Sequence, residues 1–361
     1  MDIQLPLELI EEILHYLAKD SRGLKTCSLV CRALVFRCRS YLFKTCRLTP
    51  NNIFGFCCLL RSPDCTFLSH VYAIHAVRHH WHQHDRWFNA IAVDMRRLTG
   101  VRALEMTLTV VDVSNADAFF RTGFVTAFLK VTRLVLNCNF GVQPTPLIDM
   151  ICLFPALQEL CIHDMSGNLA DPPAIAVPPP GLHSLELSVK PAGPILAWLH
   201  AFNHLANVDS LTLPPLKQHH AQTVRAALQQ LGGLLHFDIM LTWLLGAFDA
   251  DPSTVFDLSL HPNLKTLTIR DCSWGESEEL DPNQMVQLMT RLVAPALESL
   301  ALDVDLSLYQ SLDWTVLDDF LSSTRFPCLR KVAFKCRDSD RQFLRAALPL
   351  LEASGVLRMA W

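Results

Sequence analysis

From Val101 onward the chain repeats one pattern: an apolar residue, two free positions, a second apolar residue, one free position and a third apolar residue. Nine copies run from Val101/Leu104/Met106 to Leu329/Val332/Phe334, with successive first positions 25 to 33 residues apart. The alternation inside each copy has the two-residue period of a strand. Leucines scattered at random would not hold nine copies to so regular a step. Leu357/Met359 continues the step as a last strand, and Leu68/Val71/Ala73 reads as a degenerate first copy. Between copies lie helix-compatible patterns. Asp281-Pro282-Asn283-Gln284 resembles a capping box, followed by Met285, Leu288, Met289 and Leu292 on one face. Trp314, Leu317 and Leu321 repeat that spacing in the next interval. A strand followed by a helix at every step predicts parallel pairing, because each connection must cross back.

Repeats of this length with an LxxLxL core fall in the leucine-rich-repeat class, with one strand per repeat on the concave side of a horseshoe. The predicted fold is thus an α/β leucine-rich-repeat-like solenoid of about nine or ten irregular units over residues 49–361. Only Asn139 and Cys272 stand where that class has its Asn/Cys position. The proline-dense stretch from Asp171 to Gly181 cannot be helical throughout and reads as an extended rim loop. If the second and third motif positions point into the core, the residues flanking them form the concave face. The substrate-binding candidates there are Glu105, Arg133, Glu159, His163, Glu186, Asp238, Arg270, Lys331 and Lys335. Acidic side chains dominate the earlier copies and basic ones the last, which predicts a partner with a basic segment.

Residues 5–48 are organised differently. Pro6 suits a first helical turn, and Glu8, Glu11 and Glu12 favour the positive end of a helix dipole. Leu9, Ile10, Ile13, Leu14 and Leu17 recur at helical spacing, and the pattern stops at Asp20 and Ser21, which can cap a second helix carrying Leu24, Cys27 and Val30. A third helical segment follows around Leu34 to Phe43. Three short helices in so few residues cannot bury all their apolar faces against one another, so a partner surface is expected.

The strings Leu5-Pro6, Glu8-Leu9-Ile10, Glu12-Ile13-Leu14, Leu17, Leu29-Val30-Cys31-Arg32 and Tyr41-Leu42-Phe43 resemble the F-box, in order and at the N-terminal place. Leu34 stands where the commonest form of the pattern has Trp, a departure frequent in the F-box-like sequences of fungi, and the whole chain resembles fungal F-box/leucine-rich-repeat proteins. The resemblance implies a small all-α F-box over residues 1–48 that docks on a Skp-family adaptor. Through that adaptor it would join an SCF-type cullin-RING ubiquitin ligase, with the repeats selecting a protein substrate. Carried over residue by residue, the adaptor-binding positions are Leu5, Pro6, Leu9, Ile10, Ile13, Leu14, Val30 and Cys31. Two other classes remain open: a repeat scaffold or inhibitor acting outside ubiquitination, and a metal-dependent enzyme.

Composition narrows these readings. Half of the 361 residues are hydrophobic and 18% are charged, enough apolar side chain for a large core and too little charge for general disorder. Thirty-one basic residues against 35 acidic ones, without long like-charge runs, argue against nucleic acid as a partner. No apolar stretch reaches the roughly 18 residues of a membrane span. The acidic N-terminal stretch lacks the form of a secretory signal, so a cytoplasmic or nuclear location is expected. In that reducing setting the thirteen cysteines read as small buried hydrophobes. The chain lacks the familiar catalytic strings, and the reading is of a non-enzyme with no cofactor. Two clusters carry candidate metal chemistry: Cys27 with Cys31, and His70, His75, His79, His80, His82 and His84 beside Trp81 and Trp87. For both, ordinary packing or a polar turn is the favoured explanation.

Overall fold

A computed structural model of the protein describes residues 6–78, 90–109, 124–139, 147–166, 169, 175–216, 218–241, 255–271, 282–306, 309, 312–322, 324–336 and 340–360. The chain groups into two compact units: residues 1–157 with 164–173, and residues 158–163 with 174–361.

The first unit begins with three helices, α1 (Leu7–Tyr16), α2 (Ser21–Ser28) and α3 (Arg32–Leu42). Pro6 sits one residue before α1, and its carbonyl accepts from Ile10 N–H at 3.2 Å. The Asp20 carboxylate accepts from the backbone N–H of Arg22 and of Gly23, each at 3.0 Å, and so satisfies donors that the start of α2 leaves over. Leu14, Leu24 and Cys38 form the buried centre, with Ile10, Leu17, Cys27, Leu34, Tyr41 and Leu42 packed around it. An ion pair between Glu11 and Arg37 joins α1 to α3.

Four parallel strands follow in this unit: β1 (Thr45–Leu48), β2 (Ala73–Arg78), β3 (Ala103–Thr109) and β4 (Arg133–Asn139). Helix α4 (Ile53–Arg61) connects β1 to β2, and α5 (Leu147–Cys152) comes after β4. The register corrects one sequence expectation. Ile74 pairs with Leu104 and Ala76 with Met106, so the early copy is Val71/Ile74/Ala76 and not Leu68/Val71/Ala73. The odd shift matters, because a strand slipped by three residues turns its opposite face inward. Ile74 is the buried side chain, while Leu68 belongs to a short 3-10 turn. A further copy precedes it. Cys46 pairs with Ile74 and Leu48 with Ala76, which makes Phe43/Cys46/Leu48 a repeat core inside the segment expected to be all helical. On the helical side Arg61 holds Asp94 at 2.9 Å, and the Cys57 thiol donates to the same carboxylate at 3.1 Å.

The second unit contains the first five residues of β5 (Glu159–Ser166) and then β6 (Ser184–Glu186), β7 (Ser210–Leu213), β8 (His236–Met240), β9 (Thr266–Asp271), β10 (Ser299–Val304), β11 (Lys331–Lys335) and β12 (Leu357–Ala360). All are parallel and follow chain order. Among the described residues six helices lie between them: α6 (Val189–Ala201), α7 (Ala221–Gln230), α8 (Pro282–Thr290), α9 (Trp314–Leu321), α10 (Arg341–Ala347) and α11 (Pro349–Ala353). Register puts Leu160, Leu185, Leu211, Phe237, Leu267, Leu300, Val332 and Leu357 in one row, and all are buried. The expected α/β leucine-rich-repeat-like character is thus present in each unit.

Polar groups inside this unit tie consecutive repeats together. Asp318 on α9 is buried, and its carboxylate accepts from Leu350 N–H at 2.8 Å and Leu351 N–H at 3.0 Å, at the start of α11. Residues that open a helix have no carbonyl partner of their own, so this carboxylate serves as an N-terminal cap supplied by the preceding repeat. His204 and His261 are likewise buried and reach back to the carbonyls of Leu182 (2.9 Å) and Leu231 (3.2 Å). Of the proline-rich stretch, residues 171–174 lie outside the described residues. The rest has no regular secondary structure at 176–179 and is anchored by Trp198 Nε1, which donates to the Ala176 carbonyl at 2.6 Å.

Candidate interaction surfaces

Helix α1 carries two apolar stripes because its sequence places hydrophobic residues next to one another at 9 and 10 and again at 13 and 14. Ile10, Leu14 and Leu17 turn inward to the helical core. Leu9, Ile13 and Tyr16, spaced by four and three residues, turn outward, and Tyr16 is 83% exposed. Leu29 and Val30, after α2, are 86% and 71% exposed, and Cys31 is also exposed. Large apolar side chains left this open in so short a segment mark a contact surface more readily than a packing accident. Of the adaptor-binding candidates, Pro6, Leu9, Ile13, Val30 and Cys31 are therefore on the surface and Ile10 is half-buried. Leu14 is a correction: at 1% exposure it belongs to the core and has nothing to offer a partner directly. Leu5 lies outside the described residues.

The strand-face candidates separate into local groups. In the first unit Glu105 is exposed, and its carboxylate lies 3.4 Å from His75 Nε2, which also meets the Thr107 hydroxyl at 3.2 Å. Arg133 is exposed on the neighbouring strand, where its register partner is Ala103. In the second unit Glu159 pairs in register with Ser184, at the opening end of the strands. Lys331 is exposed at the same end of β11, and Lys335 at the other end donates to Asp303 at 2.9 Å.

His163, Glu186, Asp238 and Arg270 come together. They line one groove of about 250 Å³ with Thr212, Pro214, Pro215 and Met240. The sequence produces the groove by ending two strands early. β6 has three residues, and Val189 already belongs to α6. β7 has four and stops at Pro214, which has no N–H to continue a ladder. β8, beside β7, has five residues and β9 beyond it has six, so both run past the end of β7. Pairing within the groove is close: His163 Nδ1 lies 3.3 Å from Glu186 Oε1, and Arg270 donates to Asp238. Burial pushes the Asp238 carboxyl above its ordinary value, Arg270 opposes this, and the charges of Glu186 and Asp303 add to it. The acidic residues expected to await a basic partner are thus already partnered at Asp238 and, when His75 and His163 are protonated, at Glu105 and Glu186. The role of the Pro214-Pro215 pair escaped the reading of single charges. Two consecutive prolines directly behind a motif copy were the available signal.

Among the described residues no group of three or more His, Cys, Asp or Glu side chains is placed to hold a metal ion. Cys38 is buried with its thiol pushed up by burial and by nearby Cys27 and Cys31. His70 stands edge-on to Phe36 at 4.5 Å. His79, His80, His82 and His84 lie outside the described residues, as do Trp81, Trp87, Asn139's side chain and Cys272. No described helix is long and apolar enough to cross a membrane.

No known family model matches the chain. No curated protein matches it either. Among solved structures, a protein from Bacteroides fragilis is similar at 14% identity, with 88% of this chain and 73% of that one covered and a TM-score of 0.37. An internalin, InlF, from Listeria monocytogenes is similar at 13% identity over 86% of this chain and 94% of that one, with a TM-score of 0.34. Both likenesses are distant, and the repeat character of this chain rests on its own strands and their register.

Proposed function

We propose that the protein is an F-box-like substrate-recognition subunit of a cullin-RING ubiquitin ligase, working in the cytosol or nucleus without an active site of its own. Residues 1–48 dock on a Skp-family adaptor, and the repeats over 49–361 bind a protein substrate through their strand faces. The observation that carries this reading is the outward stripe of α1, where Leu9, Ile13 and Tyr16 repeat the helical spacing of the inward stripe without a covering element among the described residues. Leu5, Pro6, Ile10, Val30 and Cys31 complete the docking set, and Leu14 supports it from beneath. The strand faces supply the second half: polar rows over an apolar core, shaped at one place into a groove.

Co-expression with a Skp-family adaptor tests the reading. The wild-type chain should co-purify with it, and a chain carrying both Leu9→Ser and Ile13→Ser should not. Loss of capture with an unchanged melting temperature supports the assignment. If the wild-type chain fails to bind the adaptor, the protein is instead a repeat scaffold or inhibitor acting outside ubiquitination, which keeps the strand face and needs no F-box.

A further inference from the structure

Glu186, Thr212 and Asp238 are register partners in one row of the second unit. Neighbouring strands are about 4.8 Å apart, so the two carboxylate-bearing positions stand roughly 10 Å apart with a short side chain between them. Each carboxylate has a neighbour on its outer side: His163 beside Glu186 and Arg270 beside Asp238. Thr212, half-buried between the two carboxylates, lines the same groove. The groove's charge does not balance. Two carboxylates face one guanidinium, and His163 adds a second positive charge only when it is protonated. Glu186 and Asp303 both work against ionisation of Asp238, a repulsion that a further cation placed between Glu186 and Asp238 would relieve. Beyond the charged row, Pro214, Pro215 and Met240 give an apolar wall.

We propose that this groove receives a lysine or arginine side chain from an extended segment of the bound protein, the cationic head between Glu186 and Asp238 above Thr212 and the alkyl stem against Pro214, Pro215 and Met240. The inference rests on the reading of the strand face as the substrate site and adds the chemistry of the residue recognised there. A long basic side chain suits both parts of the groove at once, since its stem is apolar and its head charged. An anion fits poorly, because Arg270 is already committed to Asp238 and the remaining carboxylate repels it. An apolar side chain would cover carboxylates without replacing their water.

The test uses the full chain and a displayed library of random twelve-residue peptides. Peptides retained by the chain should share one Lys or Arg, and replacing that residue by norleucine in a synthetic peptide should weaken binding about tenfold, the scale of a charge-assisted hydrogen bond. Glu186→Gln should cause a similar loss. Thr212→Arg, which fills the row with a cation of its own, should abolish binding. Glu186→Gln keeps the size and shape of the side chain and so decides the matter should Thr212→Arg not fold. Retained peptides without a basic residue, or ones indifferent to Glu186→Gln and Thr212→Arg yet lost on Ala301→Arg elsewhere on the strand face, overturn this inference and leave the face as a binding site. If no peptide is retained, or if Ala301→Arg is ignored as well, the strand-face reading falls and this inference with it.

Discussion

The helices at residues 7–42 and the strand face of the second unit handle unburied surface in opposite ways. The helices have a small core, centred on Leu14, Leu24 and Cys38, and leave large apolar side chains in water. The repeats bury every motif position from Leu160 to Leu357 in their central row and leave a polar face whose charges largely answer one another, as in Asp238 with Arg270 and Asp303 with Lys335. A partner of the helices therefore gains chiefly by removing apolar area from water, at about 25 cal/mol per Å². A partner of the strand face gains by fitting a charge pattern, which confers selectivity more than raw affinity.

The sharpest way to break this contrast is to compare adjacent residues on α1. Leu14→Ala removes a buried side chain and should cost about 2–5 kcal/mol, enough to melt the helical segment. Ile13→Ala, one position away and half exposed, should change stability by less than about 0.5 kcal/mol while weakening adaptor capture at least several-fold. Chemical denaturation and co-purification measure the two readouts separately. Equal behaviour of the two variants would mean that the inner and outer stripes are not distinct.

Within the repeats, Asp318→Ala should destabilise the chain by about 1–3 kcal/mol, because it orphans two backbone N–H groups at the start of α11, one of them buried. Asp318→Asn keeps an acceptor and should recover part of that loss, which thermal melts can resolve. An alanine variant as stable as the wild type would show that water replaces the carboxylate there.

Ionic strength separates the two surfaces with a smaller effect. Between 0.1 M and 1 M salt the screening length falls from about 10 Å to about 3 Å. Capture of a basic peptide by the strand face should weaken several-fold over that range, while adaptor docking on the helices should hold or strengthen. Titration calorimetry at both salt concentrations checks this, and parallel salt curves would remove the distinction.

The smallest effects are in pH. Arg61 and the Cys57 thiol hold Asp94 below its ordinary carboxylate value, so its contribution to stability is present above that value and is lost as acidification passes through the lowered one. Asp238 has the opposite sign. Its raised value means that the folded chain keeps the proton longer than the unfolded chain, and stability declines as pH rises from the ordinary carboxylate range through the raised value. Asp94→Asn should make acid unfolding shallower, and Asp238→Asn should flatten the decline on the rising side, each by on the order of 1 °C in Tm. Melting curves across pH for the two variants should diverge in slope; matching slopes would reject the assigned signs.

The repeat cores were legible because a fully buried strand row leaves a regular apolar spacing, and within each unit the copies from Val101 to Phe334 lie in register with one another. The early copies were harder. Val71/Ile74/Ala76 ends on an alanine, and Phe43/Cys46/Leu48 has a cysteine at its centre and overlaps the helical motif ending at Phe43. Small or soft residues fill a core position without advertising it. Leu14 entered the adaptor-binding set through the resemblance alone, and on a helix apolar along two stripes it is packing that decides which stripe stays open. Of the strand-face candidates, His163, Glu186, Asp238 and Arg270 share one groove, whereas their mutual pairing depends on register between strands about 25 to 30 residues apart in sequence and was invisible in the residues taken singly.

The chain-order pairing of the strands has a consequence for how the protein is made. Within each unit every strand pairs with the one synthesised just before it, so no strand has to wait for a later segment of the polypeptide. Loops closed at each step are short, and the entropy lost per step is correspondingly modest. Repeats can thus be added one at a time as the chain leaves the ribosome, each new strand covering the edge presented by the last and passing that edge to its successor.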